Sequence, residues 1–433
     1  MRSNLVFILA DDLGFADLGC YGGRASVSPA LDRMASQGLR FTDAYANSPV
    51  CSPTRVALMT GRYQYRLRAG ADEPIASRAR GSPALGLPPE HPSLPSLLRD
   101  AGYATALVGK WHLGYPPHFG PLKSGYAEFF GVLAGGVDYF THSDPYGVHD
   151  LNEGEEEVHR KGYLTDLISE RAVDFIERQR GASAPFLLSV HYTAPHWPWE
   201  TRADEIESAR VHKALPHLDG GSVETYRTMI RHMDEGIGAI LDALGRAGAD
   251  ENTLVVFTSD NGGERFSDNW PLVGGKMDLL EGGIRVPLIA RWPGRVPAGR
   301  VCGQLAITMD WAATFLHAAG VAPHTDFPLD GISLLNVLQD PESAVERELF
   351  WRMKYRDQKA MRAGNWKYLS LEGNEFLFDL EKDARERANL GRREAARLEA
   401  MRTRYREWEA GVPTIPPDAA VSLVYDRKTM ALP

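Results

Sequence analysis

Hydrophobic positions in this chain come in short continuous runs, separated by polar turns marked with glycine and proline. The first run, Leu5-Val6-Phe7-Ile8-Leu9-Ala10, is apolar throughout, as expected of a strand buried on both faces of a parallel sheet. Ser28-Pro29 then opens a helical pattern with Leu31, Met34 and Ala35 on one face, and Gly38 stops it. The same reasoning predicts strands over residues 39–46, 103–108, 186–192, 253–258 and 286–290. It predicts helices over residues 94–101, 163–180, 223–246 and 307–319, and a solvated acidic loop over residues 147–160. Strands and helices alternating at this spacing predict an α/β body, a large mixed, mainly parallel sheet flanked by helices. Beyond residue 341 the pattern changes to short strands over 348–353, 359–361, 366–371 and 375–380, followed by a charged helix over 395–408. The chain therefore divides into a body over residues 1–341 and a small C-terminal α+β subdomain over 342–433, an antiparallel sheet plus one helix.

Composition narrows the function classes. Of 433 residues, 43% are hydrophobic, enough for a large core, so a mainly disordered chain is excluded. The net charge of −9 argues against nucleic acid or an anionic membrane surface as partner. It leaves a small anionic substrate open, because local charge governs a pocket. Cys20, Cys51 and Cys302 are too few for a disulfide framework. No apolar run reaches the ~18–20 residues of a membrane span. The leading six apolar residues fall short of the ~7–15-residue core of a secretory signal. The expected location is cytoplasmic, or periplasmic or secreted if a leader was removed.

In parallel sheets, ligands collect at the carboxyl ends of strands. Asp11 and Asp12 follow the first predicted strand, and Asp260 and Asn261 follow the strand at 253–258. Three carboxylates and an amide oxygen, without thiolate or imidazole, suit Ca²⁺, with Mg²⁺ second. Taken alone, Asp11-Asp12 reads more readily as a loop start or helix cap than as a pair of metal ligands. In Cys51-Ser52-Pro53-Thr54-Arg55, Ser52 and Pro53 predict a helix cap and first turn. Cys51 then lies at a helix N-terminus that favours anions, with Arg55 one turn on. An ordinary buried cysteine and a reactive one are equal readings of that placement. Lys110 and His112 follow the strand at 103–108, on one side of an extended chain. His196 sits in a rigid Pro195-His196-Trp197-Pro198 loop and Lys276 in a glycine-flanked one. On its own His196 reads equally as a gap-filling or a functional histidine, Lys276 as a solvated lysine, and Cys20 and Cys302 as packing residues. Trp197, Trp199, Trp270, Tyr139 and His142 lie in loops that could flank such a site and would suit an aryl group or a sugar ring equally, but single loop aromatics more often pack than bind, so they assign no substrate.

Cys51-x-Pro53-x-Arg55, followed by Met59-Thr60-Gly61-Arg62, resembles the signature of the type I formylglycine-dependent sulfatases, arylsulfatase-like members of the alkaline phosphatase superfamily. The resemblance runs along most of the chain. It includes residues 4–22, Gly109-Lys110-Trp111-His112-Leu113-Gly114, Pro195-His196-Trp197-Pro198 and Ser259-Asp260-Asn261-Gly262-Gly263. It continues through Gly275-Lys276, Glu281-Gly282-Gly283-Ile284-Arg285-Val286-Pro287, and Leu377-Phe378-Asp379-Leu380-Glu381-Lys382-Asp383. The resemblance implies a sulfuric ester hydrolase acting on aryl or carbohydrate sulfates, with the oligomeric state left open. It implies that a formylglycine-generating enzyme, a transient partner, oxidises Cys51 to an aldehyde. The aldehyde's hydrate carries two hydroxyls, one to attack sulfur and one to let sulfate leave. It further implies one divalent metal held by Asp11, Asp12, Asp260 and Asn261, with Arg55 and Lys110 stabilising the hydrate and developing charge. His112 becomes the base, while His196 and Lys276 bind sulfate oxygens and assist the leaving oxygen. Two other readings stand beside this one. The same machinery serves a phosphonate or phosphate ester hydrolase, and an unmodified Cys51 leaves a catalytically silent anion-binding homologue. A two-metal phosphatase wants a second set of Asp and His ligands, which the strand ends do not offer.

Overall fold

The computed structural model describes residues 2–211 and 220–424. Strand Asn4–Ala10 lies inside a ten-stranded sheet, parallel to Phe186–His191 on one side and Thr253–Ser259 on the other. Ala104–Lys110 and Glu128–Val132 continue the parallel set. The full order is Arg300–Cys302, Leu39–Phe41, Leu288–Arg291, Thr253–Ser259, Asn4–Ala10, Phe186–His191, Ala104–Lys110, Glu128–Val132, Leu151–Glu153 and Glu156–Glu157. Alternation along the first strand explains why every position from Leu5 to Ala10 is apolar. Val6, Ile8 and Ala10 pack under helices Pro29–Ser36, Leu164–Arg178 and Val223–Arg246. Leu5, Phe7 and Leu9 pack under Cys51–Thr60, Leu94–Asp100 and Asp310–Ala319.

Several expectations need correction. The run at 39–46 is broken into Leu39–Phe41 and Ala44–Tyr45, which join different sheets. The break falls at Thr42-Asp43, where the Asp43 carboxylate leaves the ladder to meet Arg285 and Arg362. Residues 147–160 are no plain loop. Leu151–Glu153 and Glu156–Glu157 form an antiparallel hairpin on the sheet edge, anchored by the fully buried Leu151. The helix expected from residue 307 starts at Asp310, because Ile307 pairs with Tyr45. Ser28 does not cap its helix, since its hydroxyl accepts from Gly19 N and donates to Asp32. Asp234 caps it instead, its two carboxylate oxygens accepting from Ala30 N and Leu31 N at 2.8 Å each.

Toward the C-terminus, Glu348–Met353, Gln358–Ala363, Trp366–Leu371 and Asn374–Asp379 form an antiparallel meander, with helix Ala395–Ala410 packed on it. Of the expected 342–433 subdomain, residues 425–433 lie outside the described part. Leu349, Trp351 and Leu377 share a core with Cys51, Ala57, Met277 and Leu279. Polar links cross the same boundary. Buried Lys367 reaches Glu281 at 2.9 Å and Glu386 at 2.8 Å. Burial lifts the Glu386 carboxyl to about 7, with the Lys367 ammonium pulling the other way. The segment around Lys276 thus rests on the C-terminal sheet.

Candidate active site

The four neighbouring strands Thr253–Ser259, Asn4–Ala10, Phe186–His191 and Ala104–Lys110 end at one edge of the sheet. Their register brings Asp260 beside Asp11, and Asp260 N donates to Ala10 O at 3.1 Å. Asp11, Asp12, Asp260 and Asn261 are all buried together there. Asp12 adopts φ +64°, a left-handed conformation in which Asp is tolerated better than most residues. Asn261 Nδ2 donates to Asp12 Oδ1 at 2.6 Å.

Three cations enter this acidic nest. Arg55 donates to Asp260 Oδ2 through Nε at 3.0 Å and Nη2 at 2.8 Å, and its Nη1 donates to Lys110 O at 3.0 Å. Lys110 Nζ bonds Asp11 Oδ2, and Lys276 Nζ bonds Asp12 Oδ2 at 2.7 Å. Burial opposes the charge on Arg55, but Asp260 and Asp11 outweigh it and raise its pKa. Burial, reinforced by Asp11, raises the Asp260 carboxyl despite Arg55 and Lys110.

Cys51 begins the helix Cys51–Thr60, with Val50 in the cap position. Ser52 is therefore not the cap expected of it. Its hydroxyl accepts from Ile75 N at 2.9 Å, which ties the 75 loop to the helix start. Cys51 Sγ and carboxylate oxygens of Asp11 and Asp260 lie within 4.8 Å of one another. Burial pushes the thiol up, opposed by Lys110 and Lys276.

The two predicted histidines sit across from it. His112 Nε2 donates to Ile75 O at 2.7 Å, which leaves Nδ1 buried without a partner among the described residues. Burial and the Lys110 charge hold its pKa well below the ordinary imidazole range. His196 Nδ1 donates to Trp197 O at 2.6 Å, which turns Nε2 toward Asp12 Oδ2 at 3.6 Å. Burial, then Lys276 and Lys110, depress it likewise. Both imidazoles are neutral at pH 7 and able to accept a proton. All ten predicted site residues thus lie in one buried cluster or on its wall.

Sequence reasoning missed the groups that hold the histidines. Gly135 leaves no room for a side chain, since a Cβ there would come 2.4 Å from the His112 ring. At Gly136 the fit is looser, a Cβ there coming 3.0 Å from the His196 ring and 3.2 Å from Trp197. The Gly135-Gly136 pair between apolar residues was the available signal. Buried His191 places Nδ1 3.2 Å from Lys110 O and 3.5 Å from Arg55 Nη1. It reads as strand in the sequence, which hid it. The Tyr139 hydroxyl lies 2.9 Å from the carbonyls of Thr193 and His196. Tyr139, Trp199 and His142 are consequently buried supports, not flanking platforms. Trp197 packs on the His196 ring at 4.3 Å, and Trp270 is 49% exposed.

The donor set fits a hard divalent cation. Asp11 Oδ1 and Asn261 Oδ1 are buried and have no hydrogen-bond partner among the described residues. Leaving such a group unmet costs ~1–3 kcal/mol each. The ligand atoms of Asp11, Asp12 and His196 also fall within 4.8 Å of one another.

One support gives a pH prediction. Burial and neighbouring Asp138 lift the Glu200 carboxyl to about 9, and its Oε2 accepts from Tyr139 N at 3.2 Å. The folded pKa lies above the unfolded one, so this contribution to stability is complete below about pH 4.5 and fades as pH rises toward 9. Melting temperature measured from pH 5 to pH 9 should fall less steeply in Glu200→Gln than in the parent. Parallel curves would remove Glu200 from the pH response.

The family model described as Sulfatase matches residues 3–321, and that of the N-sulphoglucosamine sulphohydrolase C-terminal region matches residues 275–406. The chain is 37% identical over 357 residues to N-acetylgalactosamine-6-sulfatase of Canis lupus familiaris, covering 77% of this chain and 65% of that one. It is 35% identical over 385 residues to the Homo sapiens protein of that name, covering 83% and 69%. The chain thus spans about two-thirds of the length of these relatives. Ps i-CgsB, solved in complex with k-i-k-neocarrahexaose, superposes with a TM-score of 0.85 at 30% identity, covering 97% of this chain and 95% of that one. The family uses a metal and a formylglycine, and an acidic site that can hold a metal is present here. With the match to the family model and the burial of its signature cysteine among three cations and two neutral histidines, the chain belongs to the sulfatase family, the sulfuric ester hydrolases of the alkaline phosphatase superfamily.

Proposed function

We propose that this protein hydrolyses sulfate monoesters carried on saccharides. The observation that carries the reading is Cys51, buried at a helix start among Arg55, Lys110, Lys276, His112 and His196. The saccharide class is supported by the N-acetylgalactosamine-6-sulfatase relatives and the oligosaccharide complex of the structural relative.

Converted to formylglycine, Cys51 supplies a geminal pair of hydroxyls, one to take the sulfuryl group and one to release it. A divalent cation, Ca²⁺ before Mg²⁺, is assigned to Asp11, Asp12, Asp260 and Asn261 and supplies charge to sulfate oxygens. The remaining work falls to this chain's own side chains. Lys110 and Lys276 bring ammonium groups to the anion, preorganised by their carboxylate partners. Arg55 fixes Asp260 and the Lys110 carbonyl at once, which sets the distance between two strand ends. His112, pinned through Nε2, offers Nδ1 as proton acceptor at residue 51. His196 presents Nε2 to the leaving oxygen. The negative charge of a bound sulfate offsets Lys276 and Lys110 and raises its pKa, so that it can carry the proton it gives up.

Mass measurement of the peptide spanning residues 51–55 tests the nucleophile. Conversion of the thiol to an aldehyde or its hydrate is expected after co-expression with a maturing enzyme, and an unmodified thiol then overturns it. Turnover of p-nitrophenyl sulfate against the matching phosphate and phosphonate esters separates the sulfatase from its phosphonate-hydrolase alternative. Exhaustive chelation should lower kcat/KM by about 10²-fold or more, reflecting several kcal/mol of charge stabilisation. It should also lower the melting temperature, and Ca²⁺ should restore both. Unchanged values in both assays would remove the metal from the site.

A further inference from the structure

The loop from Asn261 to Lys276 joins two parts of the site, and its tip carries Trp270. That tip is rigidly based. Asp268 N donates to Asp17 Oδ1 at 2.9 Å, and Ala16 N donates to Asp268 O at 2.7 Å. Asn269 Oδ1 accepts from Phe15 N and Gly263 N. Trp270 is nevertheless 49% exposed. An exposed indole on a fixed loop beside a catalytic cluster costs hydration free energy and calls for a partner.

Two guanidiniums from distant parts of the chain converge on that indole. Arg24 lies 5.7 Å and Arg385 4.6 Å from the ring centroid. Arg24 comes from the loop after Asp12, and its side chain is 68% exposed. Arg385 comes from the C-terminal subdomain, next to Glu386, whose Oε2 accepts from Glu281 N at 2.6 Å. Arg385 Nε is buried and has no hydrogen-bond partner, and Arg385 makes no ion pair among the described residues. Arg24 Nε lies 4.0 Å from an Asp268 carboxylate oxygen. A partly desolvated guanidinium without a counter-ion is costly, and an oxyanion satisfies it better than water because the fork geometry matches.

We infer that Trp270, Arg24 and Arg385 form an accessory subsite for a second sulfate group, on a sugar neighbouring the one whose ester lies at Cys51. This inference rests on the saccharide sulfatase reading. It gives the three chain segments one task, since the aromatic ring orients both guanidiniums while they bind the anion. It also gives the C-terminal subdomain a part in choosing the substrate. A multiply sulfated oligosaccharide then binds better than a monosulfated sugar carrying the same scissile ester.

The test uses the full chain with Cys51→Ala, so that binding is read without turnover. The probes are k-i-k-neocarrahexaose and a chondroitin 6-sulfate tetrasaccharide, titrated calorimetrically. Arg385→Ala and the exposed Arg24→Ala should each weaken Kd at least tenfold for whichever probe binds, with steeper loss in the double variant. Should Arg385→Ala fail to fold, Arg24→Ala and Trp270→Ala carry the test. With Cys51 restored, kcat/KM for the oligosaccharide relative to p-nitrophenyl sulfate should drop by the same factor. Equal Kd values in parent and variants overturn the subsite, as does failure of both probes to bind more tightly than about 1 mM. Loss of aryl sulfate turnover in the parent, with oligosaccharide binding retained and weakened by the variants, sinks the catalytic reading but keeps the subsite.

Discussion

Replacing Cys51 with alanine should lower sulfate ester turnover by at least about 10⁴-fold while leaving a folded protein. The thiol sulfur is a single buried atom on a helix start whose other residues are packed independently. Its removal leaves a cavity of roughly methyl size, worth about 1 kcal/mol. The melting temperature and circular dichroism spectrum should therefore change little. Cys51→Ser distinguishes two ideas. If the chemistry needs two hydroxyls on one carbon, serine offers one and is left with a stable ester, giving at most a single turnover. Sustained turnover by either variant would mean that residue 51 is not the nucleophile, and that the histidines activate water instead.

The second large effect is structural as well as catalytic. Arg55→Ala should cost about 3–5 kcal/mol of stability, because Asp260 and Asp11 would remain buried without the guanidinium. Arg55→Lys should recover only part, since an ammonium cannot span both Asp260 and the Lys110 carbonyl. The loss should be larger after chelation than with Ca²⁺ present, because a bound cation neutralises the same carboxylates. Denaturant titration of the three proteins with and without chelator checks this. An equal loss under both conditions would show that the metal and Arg55 do not share Asp260. Activity of Arg55→Ala should fall by at least about 10²-fold, as expected when a preorganised cation beside the reacting group is lost.

Much of the arrangement was legible because strand ends are legible. A fully apolar run followed by Asp11-Asp12, and the run Leu254-Val255-Val256-Phe257 leading through Thr258-Ser259 to Asp260-Asn261, place both pairs before any coordinates are known. Lys110 and His112 follow from the same logic, and the helix at 223–246 was found with both ends correct. What escaped depends on long-range partners. Leu39 to Ala46 reads as one strand because the local pattern does not register that Arg285 and Arg362, some 240 and 320 positions away, draw Asp43 out of it. The hairpin after Asp150 is hidden by its glutamates, because an edge strand needs only one buried anchor, Leu151. His191 is hidden for the opposite reason, ending a buried strand that is apolar apart from it and Ser189. Ring supports such as Gly135 are seen only as the absence of a side chain, which sequence periodicity does not weigh.

Every residue from Cys51 to Thr60 is buried, and the helix they form is walled on one side by the C-terminal sheet. This sets the order of two events in the life of the molecule. A modifying enzyme that must draw the chain around Cys51 into its own cleft would find that segment locked in the helix once residues near 350–380 have docked. Under the proposed function, conversion would belong to the interval between synthesis of residue 51 and closure of the last sheet. A mutation that speeds folding would then shorten that interval and lower the fraction of converted chains without touching a single residue at the site.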